Sequence, residues 1–404
     1  MSFIMRFLAA ASLAGAAIAA PASPTATDTA DVYAAQATAR TSSPTSHVKG
    51  KAFDRYVSIW FENTDFDMAA ADPNFQFFAE KGITLTNNLA LTHPSEPNYM
   101  AAVGGDYFGL DGDPFIQVPQ NVSSVVDLLE DKGISWSLYQ EDMPYTGFEG
   151  FAWVNQQNGA NDYVRKHNPE ILYNSVVTNS DRLSNIKNTT LFYEDLKANK
   201  LPQWMFITPN MTSDGHDTSV TVAGQWLRTF LEPLLDDKNF MQNTMVLITF
   251  DENETYTIQN RVFSVLLGDA VPQELVGTTD SNYYNHYSEI STVEANWGLY
   301  TLGRWDVGAN VFSNVAAHTG DRVRCWDAQP DLEHRYFNYS YSGIFNSKSF
   351  AVQPVPDVHS NRNFRTTFPA IKKQWEKYQQ YNYYHGQLEI PDGYNPPAVI
   401  NYST

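Results

Sequence analysis

The chain contains a single cysteine, Cys325, in 404 residues. An internal disulfide is therefore excluded, and stability must come from a packed core. Cys325 itself reads as a small buried hydrophobe, because no catalytic motif surrounds it. Basic residues are scarce: 26 Lys and Arg stand against 45 Asp and Glu, a formal net charge of −19 with a pI of about 4.7. That balance argues against nucleic-acid binding and against stable association with an anionic membrane. It suits a protein that stays soluble in acid, since carboxylates lose their charge only below about pH 4. Long apolar runs are also missing. The apolar stretch over residues 7–19 falls short of the roughly 20 residues that a membrane span needs, and no later stretch qualifies. No internal repeat is present.

What is there begins with that same stretch. A short start carrying Arg6, the apolar run and Ala17-Ile18-Ala19 together describe a secretory signal peptide over residues 1–19. A secreted, extracellular protein is expected. Residues 20–50 are Ala, Thr, Ser and Pro with almost no large apolar side chains, and read as a pro-segment or disordered linker. Six Asn-x-Ser/Thr sequons, at Asn121, Asn188, Asn210, Asn253, Asn338 and Asn401, are candidate glycan sites in such a protein.

From about residue 54 the apolar pattern alternates between strand and helix. Continuous apolar runs over residues 56–61, 83–86, 134–139, 204–207, 245–250 and 261–267 read as strands. Helical spacing marks residues 74–81, 123–132, 222–235 and 289–299, with Gly82 and Gly133 as stops for the first two. This alternation predicts an α/β fold: a three-layer sandwich with a mostly parallel central sheet covered on both faces. Residues 51–320 are expected to form the main domain. Residues 321–404, rich in Tyr, Asn and Pro, are expected to be a C-terminal extension packed on it.

In such folds chemistry gathers beyond the carboxyl ends of the strands, and the polar motifs fall there. Glu62-Asn63 follows one apolar run and Asp251-Glu252 another. Carboxylates at neighbouring strand ends repel unless a cation or proton lies between them, and these are hard oxygen ligands. A divalent metal is expected at Glu62, Asn63, Asp251 and Glu252; the ligand types leave Ca, Mg, Mn, Fe and Zn open. Ser95, in His93-Pro94-Ser95-Glu96-Pro97-Asn98-Tyr99, lies between those motifs. A serine hydroxyl is a weak nucleophile that a base or metal must activate, and no Gly-x-Ser-x-Gly elbow surrounds this one. His93, His216 (in Asp214-Gly215-His216-Asp217) and His286 are candidates to hold phosphate oxygens or protonate a leaving group. Asn98 and Asp214 are expected to contact substrate. His47, His167, His318, His334, His359 and His385 lack comparable context and are expected to be structural.

Taken together and in this order, Phe61-Glu62-Asn63-Thr64-Asp65-Phe66, His93 to Tyr99, Asp214-Gly215-His216-Asp217 and Ile248-Thr249-Phe250-Asp251-Glu252 resemble the fungal secreted acid phosphatases. These belong to the phosphoesterase family that also holds bacterial acid phosphatases and non-specific phospholipases C. The resemblance runs from about residue 53 to 300 and implies an alkaline-phosphatase-like fold. It also implies Ser95 as carrier of a transient phosphoryl group, metal at the four positions above, and His93, His216 and His286 around the phosphate. Two-metal relatives carry an Asp-x-x-x-His pair, which Asp214-Gly215-His216 does not match. One metal is therefore expected, with histidines in place of the second cation. The expected activity is hydrolysis of small phosphate monoesters in acid. The alternatives are a phospholipase C-type phosphodiesterase on the same fold, a metal-independent glycosidase using two carboxylates, and a non-catalytic binding protein on a degenerate enzyme fold. The full set of polar positions argues against the last.

Overall fold

A computed structural model of the chain describes residues 29–324, 339–341, 343–346, 355–382, 384, 386 and 399–401. The expected signal peptide, Cys325, His334, His385 and the Asn338 sequon lie outside the described residues, and the Asn401 sequon is described only in its backbone.

The central sheet has eight strands among the described residues: β1 (Arg55–Phe61), β2 (Gly82–Leu85), β3 (Trp136–Gln140), β4 (Ile186–Asn188), β5 (Trp204–Thr208), β6 (Thr244–Phe250), β7 (Ser264–Leu267) and β8 (Thr278–Asp280). Their spatial order is β8-β2-β7-β6-β1-β5-β3-β4. β7 runs antiparallel to both its neighbours, and all other pairings are parallel. The mostly parallel sheet expected from the sequence is the one observed. β4 and β8 are three residues each, too short to leave a periodic signal.

Side chains of β1 alternate between two cores, which is why the strand reads as one continuous apolar run. Tyr56 and Trp60 face helices Ser95–Gly104, Val125–Asp131 and Tyr287–Trp297, through Tyr99, Met100, Val126 and Ile290. Val57, Ile59 and Phe61 face helices Pro73–Ala79, Thr189–Lys197 and Val220–Leu231, through Phe75, Phe78, Phe192 and Leu227. The helix starts are set locally. Asp72 accepts from the N–H groups of Asn74 and Phe75 ahead of Pro73, and Ser219 accepts from Val222.

Helix Ser95–Gly104, entirely buried, is absent from the sequence reading. Pro94 and Pro97 disguise it as a turn. Pro97 falls in the first turn, where its missing N–H would have had no intrahelical acceptor. Residues 38–50 also differ from expectation. They have no helix or strand, yet they are fastened to the domain rather than being a disordered linker. The Ser42 N–H donates to the Ser184 carbonyl (3.1 Å), Ser46 Oγ to Gln203 Oε1 (2.6 Å), and the Val48 N–H to that same oxygen (2.8 Å). On the C-terminal side, Arg365 donates twice to buried Asp321 (2.7 and 3.0 Å), and the Tyr341 hydroxyl donates to Asp106 (2.5 Å).

Two buried groups couple the fold to pH. Glu289, on helix Tyr287–Trp297, accepts from Ser58 Oγ (2.6 Å), the Tyr56 hydroxyl (3.1 Å) and Trp60 Nε1 (3.0 Å). Burial pushes its carboxyl up to about 7 against those three donors. Glu170, buried beside Ser124, is pushed up to about 8. An unfolded glutamate titrates near about 4.3. Above that pH the folded chain keeps protons that the unfolded chain has lost, so stability falls as pH rises towards 7 and 8. The melting temperature is expected to drop between pH 5 and pH 8, with Glu289→Gln flattening the drop. A melting temperature that rises over this interval contradicts the assignment.

Candidate active site

The site lies beyond the carboxyl ends of three adjacent strands, β6, β1 and β5. Past Phe61 the backbone pairing continues for one step on each side. The Asp251 N–H donates to the Phe61 carbonyl (3.0 Å) and the Glu62 N–H to the Asp214 carbonyl (3.1 Å). Asp214 reaches this position from the loop after β5. Gly215 follows it at φ +104°, a conformation that L side chains rarely adopt. That turn lets the His216 N–H donate to Asp214 Oδ1 (2.8 Å). The outcome is four carboxylates side by side, Glu62, Asp214, Asp251 and Glu252, each 0 % exposed.

Ser95 is the first residue of its helix, facing these groups. Its Oγ lies 3.1 Å from Glu62 Oε2, 3.4 Å from Glu252 Oε1 and 3.4 Å from Lys166 Nζ. The helix start adds a positive partial charge at the same place. Asp113 holds Lys166 (3.1 Å) through one carboxylate oxygen and accepts the Glu96 N–H (3.0 Å) through the other. Asn63 Nδ2 donates to Glu252 Oε1 (2.9 Å), and His93 Nδ1 pairs with Glu252 Oε2. The Tyr99 hydroxyl donates to Glu62 Oε1 (2.7 Å). The His93 ring is covered by Tyr256, stacked at 3.8 Å between centroids.

His167 corrects the sequence reading. Expected to be structural, it lies between two of the carboxylates, with Nε2 at 2.9 Å from Glu62 Oε1 and Nδ1 at 3.5 Å from Asp214 Oδ2. Its ring stacks on Tyr99 at 5.0 Å. Glu62, His167 and Asp214 are buried and bring one ligand atom each within 4.8 Å of the others, a group that could hold a divalent cation. Lys166 and His167 were missed because they lie on a short 3₁₀ turn, Arg165–His167, far from the other motifs in sequence. The available signal was Arg165-Lys166-His167, three basic residues in a row in an acidic chain.

Two other expectations change. His286 is not placed to protonate a leaving group. It is buried, its ring packs on Trp60 at 4.4 Å, and Nε2 donates to the Asp251 carbonyl (2.6 Å). Burial lowers its pKa to about 4, so it stays neutral in weak acid and braces Asp251 from behind. Asn98 is occupied by the backbone rather than by substrate. Its Oδ1 accepts from Leu91 (2.9 Å) and Thr92 (3.4 Å), and its Nδ2 donates to the carbonyls of Thr92 (2.9 Å) and Pro94 (3.3 Å). His216 is about a third exposed at the rim, bonded to Asp217 (2.8 Å), with its ring 6.1 Å from that of His167. His47, His318 and His359 are exposed. Among the sequons, Asn121 is exposed and Asn188 and Asn210 half-buried. Asn253 is fully buried, its Nδ2 donating to the Thr255 carbonyl (2.9 Å), which leaves no room for a glycan.

The carboxylates differ in charge state. Burial pushes Glu62 up, but His167, with Lys166 and His216, more than offsets this and brings it to about 2. Burial dominates at Asp214 and lifts it to about 6 against the opposing pull of His167. Asp251 is driven well above the usual range by burial and by the charges of Glu62 and Glu252. Neither of its oxygens has a hydrogen-bond partner among the described residues, and Asn63 Oδ1 is likewise buried without one. Burial works against the Lys166 cation, but Glu62 and Asp113 outweigh it and raise its pKa.

A helix-borne serine hydroxyl facing buried carboxylates and a lysine can present an oxygen nucleophile to an electrophilic centre and balance anionic charge around it. Residues 48–300 match the phosphoesterase family, and the chain belongs to that family. It is 53% identical over 332 residues to a "Probable acid phosphatase" of Kluyveromyces lactis, covering 82% of this chain and 77% of that one. It is 52% identical over 322 residues to a "Phosphate-repressible acid phosphatase" of Penicillium chrysogenum, covering 80% and 77%. A crystal structure of a protein in the alkaline phosphatase superfamily from Vibrio parahaemolyticus aligns with a TM-score of 0.41 at 11% identity, over 65% of this chain and 73% of that one.

Asn98→Ala would strip the 91–94 segment of four side-chain hydrogen bonds. The expected cost is about 2 kcal/mol or more, read as a drop of several degrees in melting temperature. An unchanged melting temperature would contradict the bracing role.

Proposed function

We propose that this chain is an exported acid phosphatase that hydrolyses small phosphate monoesters by way of a phosphoserine at Ser95. The observation that carries the reading is the position of Ser95 Oγ at a buried helix start, 3.1 Å from Glu62 and 3.4 Å from both Glu252 and Lys166. The similarity to fungal acid phosphatases over most of the chain supports the substrate class.

The residues present fit a divalent cation. Asp251 offers two buried oxygens with no hydrogen-bond partner among the described residues, Asn63 offers one, and Glu62 and Glu252 flank them. These four would hold one cation, and its chemistry would be to lower the pKa of a nearby hydroxyl and neutralise phosphate charge. In this reading His167, between Glu62 and Asp214 and with its pKa raised there, is protonated and supplies a second positive charge in place of the cation that these three groups could otherwise hold. Lys166 and the helix start bind the non-bridging phosphate oxygens. Glu62 Oε2 orients the Ser95 hydroxyl, and Glu252, whose carboxyl pKa burial raises and whose Oε1 lies 3.4 Å from Oγ, takes its proton as Oγ attacks phosphorus. The bond from phosphorus to the leaving oxygen breaks, and His216 at the rim gives that oxygen a proton. Water then attacks the phosphoserine on the same path in reverse, releasing Ser95 and phosphate. His93 holds Glu252 in place. Positioning and charge stabilisation do most of the work, as is usual in phosphoryl transfer.

The described residues contain no helix long and apolar enough to cross a membrane.

Two outcomes are expected with p-nitrophenyl phosphate at pH 5. Folded Ser95→Ala should lose turnover by about a thousandfold or more; a variant that keeps full rate removes Ser95 from the mechanism. Lys166→Met should lower kcat/KM by about a hundredfold, roughly the value of one charge-assisted contact to a transition-state oxyanion. A Lys166→Met enzyme with wild-type kcat/KM would place the lysine outside the phosphate site.

A further inference from the structure

Tyr256 is not used by the mechanism above, yet it stands at the mouth of the site on a firmly held loop. One face of its ring covers His93 at 3.8 Å and 24° between planes. His93 in turn contacts Glu252, whose Oε1 lies 3.4 Å from Ser95 Oγ. Despite this central place, Tyr256 is 45 % exposed, and Ile258, two residues on, is equally so. Large apolar side chains exposed beside a polar pocket are places where an apolar part of a ligand can be covered.

The loop that carries them is braced from three directions. Asp65 Oδ1 accepts the N–H groups of Glu254 (3.1 Å) and Thr255 (2.9 Å), while its Oδ2 accepts the Thr255 hydroxyl (2.6 Å). Asn260 Oδ1 accepts the Asn253 N–H (2.9 Å), and its Nδ2 donates to the Thr92 carbonyl (3.1 Å), in the segment that leads to Ser95. Asn253 Nδ2 donates across the loop to Thr255. Tyr256 is thus held in register with the nucleophile, so little conformational freedom remains to be lost when a ligand group packs on it.

We propose that the outer face of Tyr256 is the leaving-group subsite of this enzyme and selects monoesters whose leaving group is a flat aromatic ring. The inference rests on the phosphatase reading above and deepens it. With the phosphoryl group held by Ser95 and Lys166, an ester substituent that points away from Ser95 for in-line attack and leaves past Glu252 and His93 meets the outer face of Tyr256. An aromatic substituent there stacks on the tyrosine ring; a small alkyl substituent has nothing to stack with.

The test compares wild type, Tyr256→Phe and Tyr256→Leu with phenyl phosphate and with glycerol 2-phosphate at pH 5, kcat and KM being measured separately. Tyr256→Leu should raise KM for phenyl phosphate about threefold to tenfold, the worth of one aromatic pair, and leave KM for glycerol 2-phosphate within about twofold. Tyr256→Phe, which keeps the ring, should match wild type. Equal losses on both substrates would mean that the ring only steadies His93, and would overturn the proposal. So would a Phe variant as impaired as the Leu variant, since the hydroxyl would then be the acting group, or a Leu variant with no change on either substrate. A wild-type protein that turns over neither ester overturns the phosphatase reading as well, which separates that failure from failure of the subsite alone.

Discussion

Four carboxylates with no exposure to water sit at the ends of three neighbouring strands, and most of what surrounds them answers the electrostatic cost of that placement. Burying even one unpaired carboxylate is expensive. Here Glu62 keeps its charge because His167 beside it, with Lys166 and His216, outweighs its burial. Glu252 is held by His93 and Asn63. Asp214 is met by His167 and by the His216 backbone. Asp251 is left over, with both oxygens buried and unbonded among the described residues. A proton or a cation must complete it, and together with the unbonded Asn63 Oδ1 it is the strongest pointer to a metal.

The fold makes such crowding possible. Parallel strands all point one way, so the residues that follow β6, β1 and β5 arrive together. The backbone pairing that runs one step beyond the strand ends fixes their spacing before any side chain is considered. The helix that begins at Ser95 is buried along its whole length. Asn98, on its first turn, binds the backbone that leads into it, and Asp113 ties its second residue to Lys166. The nucleophile is held by the core on one side and by charge on the other, the kind of support that keeps a reactive geometry within tenths of an ångström.

Much of this could be read from the sequence. Strands buried on both faces appear as continuous apolar runs, and the residues just after them are marked by their contrast. Glu62-Asn63 and Asp251-Glu252 stood out for that reason, and so did Ser95 between its prolines. What escaped were groups brought in by loops. His167 and Lys166 follow a half-buried pair of short strands rather than a sheet strand, and Asp113 and Tyr256 lie in stretches with no regular structure. No periodicity points to such residues; only three-dimensional closure does. His286 and Asn98 failed in the opposite way. Their sequence context resembled a binding site, but their hydrogen-bonding groups serve the backbone, a choice that depends on distances no linear pattern contains. Helix Ser95–Gly104 was hidden because proline in a first turn looks the same as proline in a loop.

The claim on which the account turns is that a cation neutralises this carboxylate cluster. The most direct measurement is metal analysis of the purified protein together with thermal unfolding at pH 5, before and after removal of metal by a chelator. The account predicts one divalent cation per chain, a melting temperature lower by several degrees once it is removed, and recovery when the cation is returned, because a ligand bound only by the folded state stabilises it. A protein that carries no cation and unfolds at the same temperature with and without chelator would contradict it.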